Sequence, residues 1–112
     1  MTMNGDPLPR HGEVWWVRVD KRRPAVVVQT DKIRDPRVRS FLVVPLTSRL
    51  HLSGLPGNVR LQRSDTHLPK PSVANVYDIQ KVLRSDFLEP LGTLSDSAMS
   101  EIADGLRLAL DL

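Results

Sequence analysis

The chain contains no cysteine. That excludes a disulfide framework, a thiolate zinc site and a thiol nucleophile. It also lacks any apolar run of about 18 residues, so no membrane-spanning helix is expected. Residues 1–11 hold no apolar stretch that would serve as a secretory leader. With Gly5, Pro7 and Pro9 they read as a flexible tail, and the cytoplasm is the expected compartment. There is no phosphate-binding glycine loop, no dinucleotide glycine pattern and no nucleophile elbow. The three histidines, His11, His51 and His67, form no pair at metal-ligand spacing with a nearby carboxylate. No metal and no cofactor are therefore expected.

What is present is one domain's worth of chain, 112 residues, with 40% hydrophobic and 26% charged side chains. The domain is expected over residues 12–112. It is small enough that dimerisation would help it bury surface. Charge is uneven. Up to Arg60 there are eleven Lys/Arg against five Asp/Glu, and after it five against eight. A basic half of this kind suits a polyanion, of which nucleic acid is the commonest. It also suits a merely solvated surface, so charge alone does not decide.

The first two-thirds reads as short strands. Glu13–Val19 combines aromatic and β-branched residues after Gly12. Pro24–Gln29 is a near-continuous apolar run, expected as a buried strand with Pro24 as its first residue, because proline cannot donate to a ladder. The short link Asp20–Arg23 makes the two a hairpin. Phe41–Leu46 is a third strand, ending near Pro45. Val59 and Leu61 alternate with Arg60 and Gln62 in a fourth. Ser72–Val76 and Ile79–Leu83 are two further candidates, or one bent strand. At the C-terminus, Ser95 is a good N-cap and Asp96 suits the first turn of a helix. Met99, Ile102, Ala103, Leu106 and Leu110 then recur at helical spacing. Gly105 inside that helix costs about 1 kcal/mol relative to Ala. The expected fold is mainly β (α+β): a small β-barrel with a C-terminal amphipathic helix packed outside.

Two residues carry candidate chemistry. Arg23 has a planar, permanently charged guanidinium with five donors, suited to phosphate oxygens, and Pro24 stiffens its neighbourhood. The bland alternative is a surface arginine paired with a carboxylate. Thr47 follows a buried strand, where a hydroxyl can donate to a phosphate oxygen or instead cap a turn. Ser48 shares both readings. His51 lies four residues past Thr47, within reach of the same site, although a surface role is the simpler one. Trp15 and Trp16 must face opposite sides of a strand.

Taken together, the blocks Gly12-Glu13-Val14-Trp15-Trp16-Val17, Arg22-Arg23-Pro24-Ala25-Val26-Val27-Val28, Val44-Pro45-Leu46-Thr47, Pro56-Gly57-Asn58-Val59, Ser72-Val73-Ala74-Asn75 and Leu91-Gly92-Thr93-Leu94-Ser95, with the terminal helix, resemble the MazF/PemK (Kid) toxins of bacterial type II toxin–antitoxin systems. The resemblance spans everything after the tail. It implies an SH3-like, CcdB/PemK-type barrel that forms a homodimer, and a metal-independent, sequence-specific endoribonuclease. Cleavage of single-stranded RNA would proceed by 2′-OH attack, leaving a 2′,3′-cyclic phosphate and a 5′-hydroxyl. By motif, Arg23 and Thr47 match the family's catalytic pair. A small acidic, MazE-like antitoxin would cover the site. The link Asp20-Lys21-Arg22-Arg23 is shorter than is usual in the family, and Lys21 and Arg22 are expected to contact phosphates in its place. Ser48, Arg49, Asn75, Asp78 and Gln80 are the further candidates for substrate contact, since they flank the strands that would line the groove. Arginine is effectively always protonated and so is a poor general base. Arg23 is therefore expected to stabilise the phosphorane and Thr47 to place the phosphate. A CcdB-like gyrase-binding toxin and an RNA-binding SH3-like module are the competing expectations.

Overall fold

A computed structural model describes residues 8–112. Seven strands form one antiparallel sheet: β1 (Glu13–Arg18), β2 (Arg22–Val27), β3 (Ser40–Thr47), β4 (Val59–Leu61), β5 (Ser72–Ala74), β6 (Gln80–Leu83) and β7 (Phe87–Thr93). Two α-helices, α1 (Arg63–Thr66) and α2 (Asp96–Leu110), and three short 3-10 turns complete the described residues. The strand order is β4-β5-β3-β2-β1-β7, with β6 also pairing β3. Among the described residues no ladder joins the last strands into a ring, so the expected barrel is not closed by hydrogen bonds.

It is nevertheless curled. The subset β7-β1-β2-β3-β6 would span about 19 Å edge to edge if flat. Yet β6 and β7 are joined only by the turn Arg84–Asp86, which reaches at most about 14 Å. The two edges must therefore bend toward each other. The concave face holds one apolar cluster, with Trp15, Val17, Ala25, Val27, Val43 and Phe87 among its members. Trp15 and Phe41 both meet Phe87 edge to face, at 5.6 and 5.7 Å between centroids. The alternate residues Val14, Val26 and Val44 enter a second cluster with Met99 and Ile102 of α2. Burial on both faces is why Ala25-Val26-Val27 reads as unbroken apolar sequence.

The prolines sit where the ladders allow them. Pro24 is the third residue of β2, not the first as expected from sequence. It lies opposite Trp16, and the β2–β3 pairing begins only at Ala25. Its missing N–H therefore falls beyond the end of that ladder. Pro45 lies inside β3 rather than at its end. There β3 exchanges β6, paired at residues 40–43, for β5, paired at 46–47. In that gap no donor is needed, and the Pro45 carbonyl accepts from Asn75 N–H at 3.1 Å.

The stretch 72–83 is two strands, as the sequence allowed, separated by the 3-10 turn Val76–Asp78. Strand β7 and helix α1 were not anticipated. The expected tail, residues 1–11, falls partly outside the described residues. Its end is packed: Pro9 is buried, and His11 N–H donates to Asp31 Oδ1 at 2.9 Å. Helix α2 begins as anticipated, with Ser95 Oγ accepting from Ala98 N–H at 3.1 Å. No helix of the described residues is long and apolar enough to cross a membrane.

Candidate active site at the open ends of β2 and β3

The β2–β3 ladder pairs Val27 with Val43, Val26 with Val44 and Ala25 with Pro45. Continued two residues further, that register sets Arg23 opposite Thr47. Both belong to the concave-face parity of their strands, the face of Ala25, Val27 and Val43. Arg23 is thus an arginine at the rim of an apolar cluster, its side chain 42% exposed. Its Nε donates to Asp20 Oδ1 at 3.2 Å and its Nη2 to Asp20 Oδ2 at 3.5 Å. Hydrogen bonding from Arg23 holds the Asp20 carboxyl below its ordinary value of 3.8. The grip is side-on. It leaves the Nη1 edge of the guanidinium for another anion.

The Thr47 hydroxyl accepts from Arg49 N–H at 3.2 Å. This is the turn-capping role that sequence allowed. It uses a lone pair and leaves the O–H proton to donate, so capping and phosphate contact are compatible. The loop after Thr47 then carries Ser48, Arg49 and, in the 3-10 turn Leu50–Gly54, His51, all exposed.

The opposite flank of β3 brings in the remaining candidates. Asn75 follows β5, whose Val73 pairs Thr47. Its Oδ1 accepts from Asn58 Nδ2 at 3.2 Å and from Tyr77 N–H at 3.3 Å. Its carboxamide oxygen therefore holds the loop in place. Asp78 closes the 3-10 turn Val76–Asp78 and is exposed. Gln80 lies opposite Val43, on the concave-face side. Asn75, Asp78 and Gln80 thus run along the edge of β3 toward Thr47.

Lys21 is exposed at the hairpin tip. Arg22 is separated from the others: it has the opposite parity from Arg23. Its guanidinium lies 4.7 Å from the Trp16 ring centroid, and its Nη2 donates to Glu89 Oε1. Trp16 pairs with Glu89 across β1 and β7, so the three side chains form one stack on the other face of the sheet. Trp15 meanwhile is buried in the concave cluster. His67 packs over Gly92, where an added Cβ would meet its ring at 3.3 Å. Among the described residues no group of three or more His, Asp or Glu is placed to hold a metal ion.

Two groups around the site drew no assignment from sequence: Asp20 as the partner of Arg23, and Glu89 as that of Arg22. Only the first carried a local signal, a carboxylate three residues before the arginine across a hairpin tip.

A curled antiparallel sheet with a C-terminal helix, and an arginine and a hydroxyl at the open ends of two adjacent strands, define a small β-class domain. A sequence profile for PemK-like, MazF-like toxins of type II toxin–antitoxin systems matches residues 10–110. The chain belongs to that family. Among its relatives is Endoribonuclease MazF6 of Mycobacterium tuberculosis, 38% identical over 92 residues, which cover 82% of this chain and 81% of the relative. Another is Endoribonuclease MazF of Staphylococcus saprophyticus, 28% identical over 90 residues, covering 80% and 74%. Among solved structures, the Mycobacterium tuberculosis toxin MazF-mt6 superposes with a TM-score of 0.79 at 25% identity, covering 89% of this chain and 97% of that one. A mycobacterial endoribonuclease solved in complex with its cognate antitoxin has the same fold, with a TM-score of 0.77 at 24% identity over 93% and 96%.

Proposed function

We propose that this chain is a sequence-specific, metal-independent endoribonuclease, the toxin of a toxin–antitoxin pair. It cuts single-stranded RNA, mRNA foremost with tRNA and rRNA as further targets. One observation carries the reading: the β2–β3 register, continued past its last pair Ala25–Pro45, brings Arg23 and Thr47 opposite one another at the strand ends, each with donor capacity left over. Membership of the family and the relatives' names support it.

In the reaction the ribose 2′-oxygen attacks the adjacent phosphorus as the P–O5′ bond breaks. The products are a 2′,3′-cyclic phosphate and a 5′-hydroxyl. The Nη1 edge of Arg23 takes a non-bridging oxygen as charge builds on the phosphorane. The Thr47 hydroxyl donates to the same phosphate and fixes its place. Water accepts the 2′-OH proton and supplies one to the departing 5′-oxygen, since neither side chain is suited to do so. Ser48, Arg49, Asn75, Asp78 and Gln80 line the approach, and Lys21 reaches the backbone phosphates. We read residues 12–112 as the catalytic domain. It works as a homodimer in the cytoplasm, restrained by a small acidic antitoxin that complements the basic first half of the chain.

The test is incubation of purified protein with a long, weakly structured RNA in EDTA, beside Arg23→Ala, with mapping of the new ends. Discrete cuts ending in cyclic phosphates, absent in the variant, are expected. Intact RNA from folded protein would instead favour a gyrase-directed toxin or a binding module.

A further inference from the structure

We propose that Asp20 is a positioning residue for cleavage: its carboxylate grips Arg23 side-on and presents the opposite edge of the guanidinium to the scissile phosphate. The inference rests on the ribonuclease reading and names a further residue of that site.

The geometry supports it in three steps. First, both contacts, at 3.2 and 3.5 Å, use the Nε–Nη2 side of the guanidinium. A phosphate approaching from the side away from Asp20 then meets Nη1 rather than a freely rotating group. Second, the carboxylate is anchored by the fold. Asp20 sits in the tip between Arg18 and Arg22, which pair across the hairpin, and Val19 N–H donates to the Lys21 carbonyl at 3.2 Å. Third, an unrestrained arginine is among the side chains with most rotamer freedom to lose, so orienting it before RNA arrives lowers the cost of the productive pose. Asp20 is not suited to be the general base. Its oxygens are engaged by Arg23, and that bond makes the carboxylate less basic than usual.

The same carboxylate is a negative charge beside a polyanion. Asp20 should therefore weaken RNA binding while it speeds the chemical step. This gives a signature that a merely structural residue would not show. Asp20→Asn keeps the shape, but can offer only one acceptor to the Nε–Nη2 edge. We expect kcat to fall about three- to fivefold, the size appropriate to an exposed pair, with KM unchanged or lower. Asp20→Glu, which restores the carboxylate, should recover more than half of the loss.

The assay is steady-state cleavage of a short fluorogenic RNA carrying the first cut mapped with the parent protein, with thermal unfolding of every variant alongside. An Asp20→Asn protein with unchanged or increased kcat would overturn the inference, and would make Asp20 a mask on Arg23 instead. So would an equal loss in Asp20→Glu. If the parent protein itself leaves RNA whole, the ribonuclease reading fails, and the positioning role falls with it.

Discussion

Gly105 of α2 and Gly57 of the loop before β4 meet backbone against backbone. A Cβ built on Gly105 would fall 2.0 Å from the Gly57 carbonyl oxygen, closer than any real contact. Gly57 itself has φ +96°, a conformation that suits glycine. The helix thus packs on a main chain that cannot retreat like a side chain. Gly105→Ala gains about 1 kcal/mol in helix propensity and loses more by forcing α2 away from the loop. The expected net is destabilisation of about 2 kcal/mol or more, read as a lower urea midpoint. A midpoint at or above that of the parent would show that the contact is not tight.

On the proposed mechanism, Arg23→Ala removes a donor that acts in the transition state. The expected loss is about 10²-fold or more in cleavage rate. Stability should barely move, because the pair with Asp20 is exposed and such pairs contribute little. A loss below tenfold, with unfolding unchanged, would falsify the catalytic role.

Thr47 separates its two duties by substitution. Thr47→Val keeps the shape but removes both the acceptor for Arg49 N–H and the donor proposed for phosphate. Thr47→Ser keeps both. The valine variant should lose at least about tenfold in rate, and the serine variant less than about threefold. A serine variant that loses more than the valine variant would point to packing by the methyl group rather than to the hydroxyl.

How much of this was legible before the structure differs by element. Strands β1 to β3 carried strong signals, because alternating or fully apolar runs report burial on one or both faces. Strand β7 did not. Glu89 and Pro90 interrupt its pattern, and among the described residues it pairs only with β1, through two register shifts. An edge strand half open to solvent leaves little periodicity. Helix α1 is a single turn, too short for a hydrophobic stripe. Its one signal was the reciprocal cap between Gln62 and Asp65. At the site, Arg23 and Thr47 stood out through family resemblance. Their facing positions needed the β2–β3 register. The Gly105 contact lay beyond reach altogether, since no local pattern in α2 points to a loop 48 residues away.

Arg22 shows the limit most sharply. Adjacent to Arg23 in sequence, it was expected to share the phosphate. Strand parity turns it to the other face, onto Trp16 and Glu89. Arg22→Ala should reduce cleavage less than about threefold, with a stability cost of about 1 kcal/mol or less from the exposed pair and the stacking. A rate loss comparable to that of Arg23→Ala would show that Arg22 swings to the substrate on binding.

The carboxylates give the pH dependence its sign. Asp20 is held below its ordinary value of 3.8, first by the hydrogen bond from Arg23, and Asp35 likewise by Arg37. A depressed folded-state value means that the contribution to stability is complete above 3.8 and fades as pH falls through the lower, folded value. Between about pH 5 and 8 both groups stay ionised, so neither should introduce an inflection in the cleavage profile. Thermal unfolding of Asp20→Asn and Asp35→Asn against the parent checks the sign. The differences should be small, constant from pH 8 to 5, and shrink only below about pH 4, as the parent carboxylates protonate. A difference that grew toward acid would mean that the ionised forms are disfavoured in the folded protein, and the side-on grip of Asp20 on Arg23 would have to be abandoned.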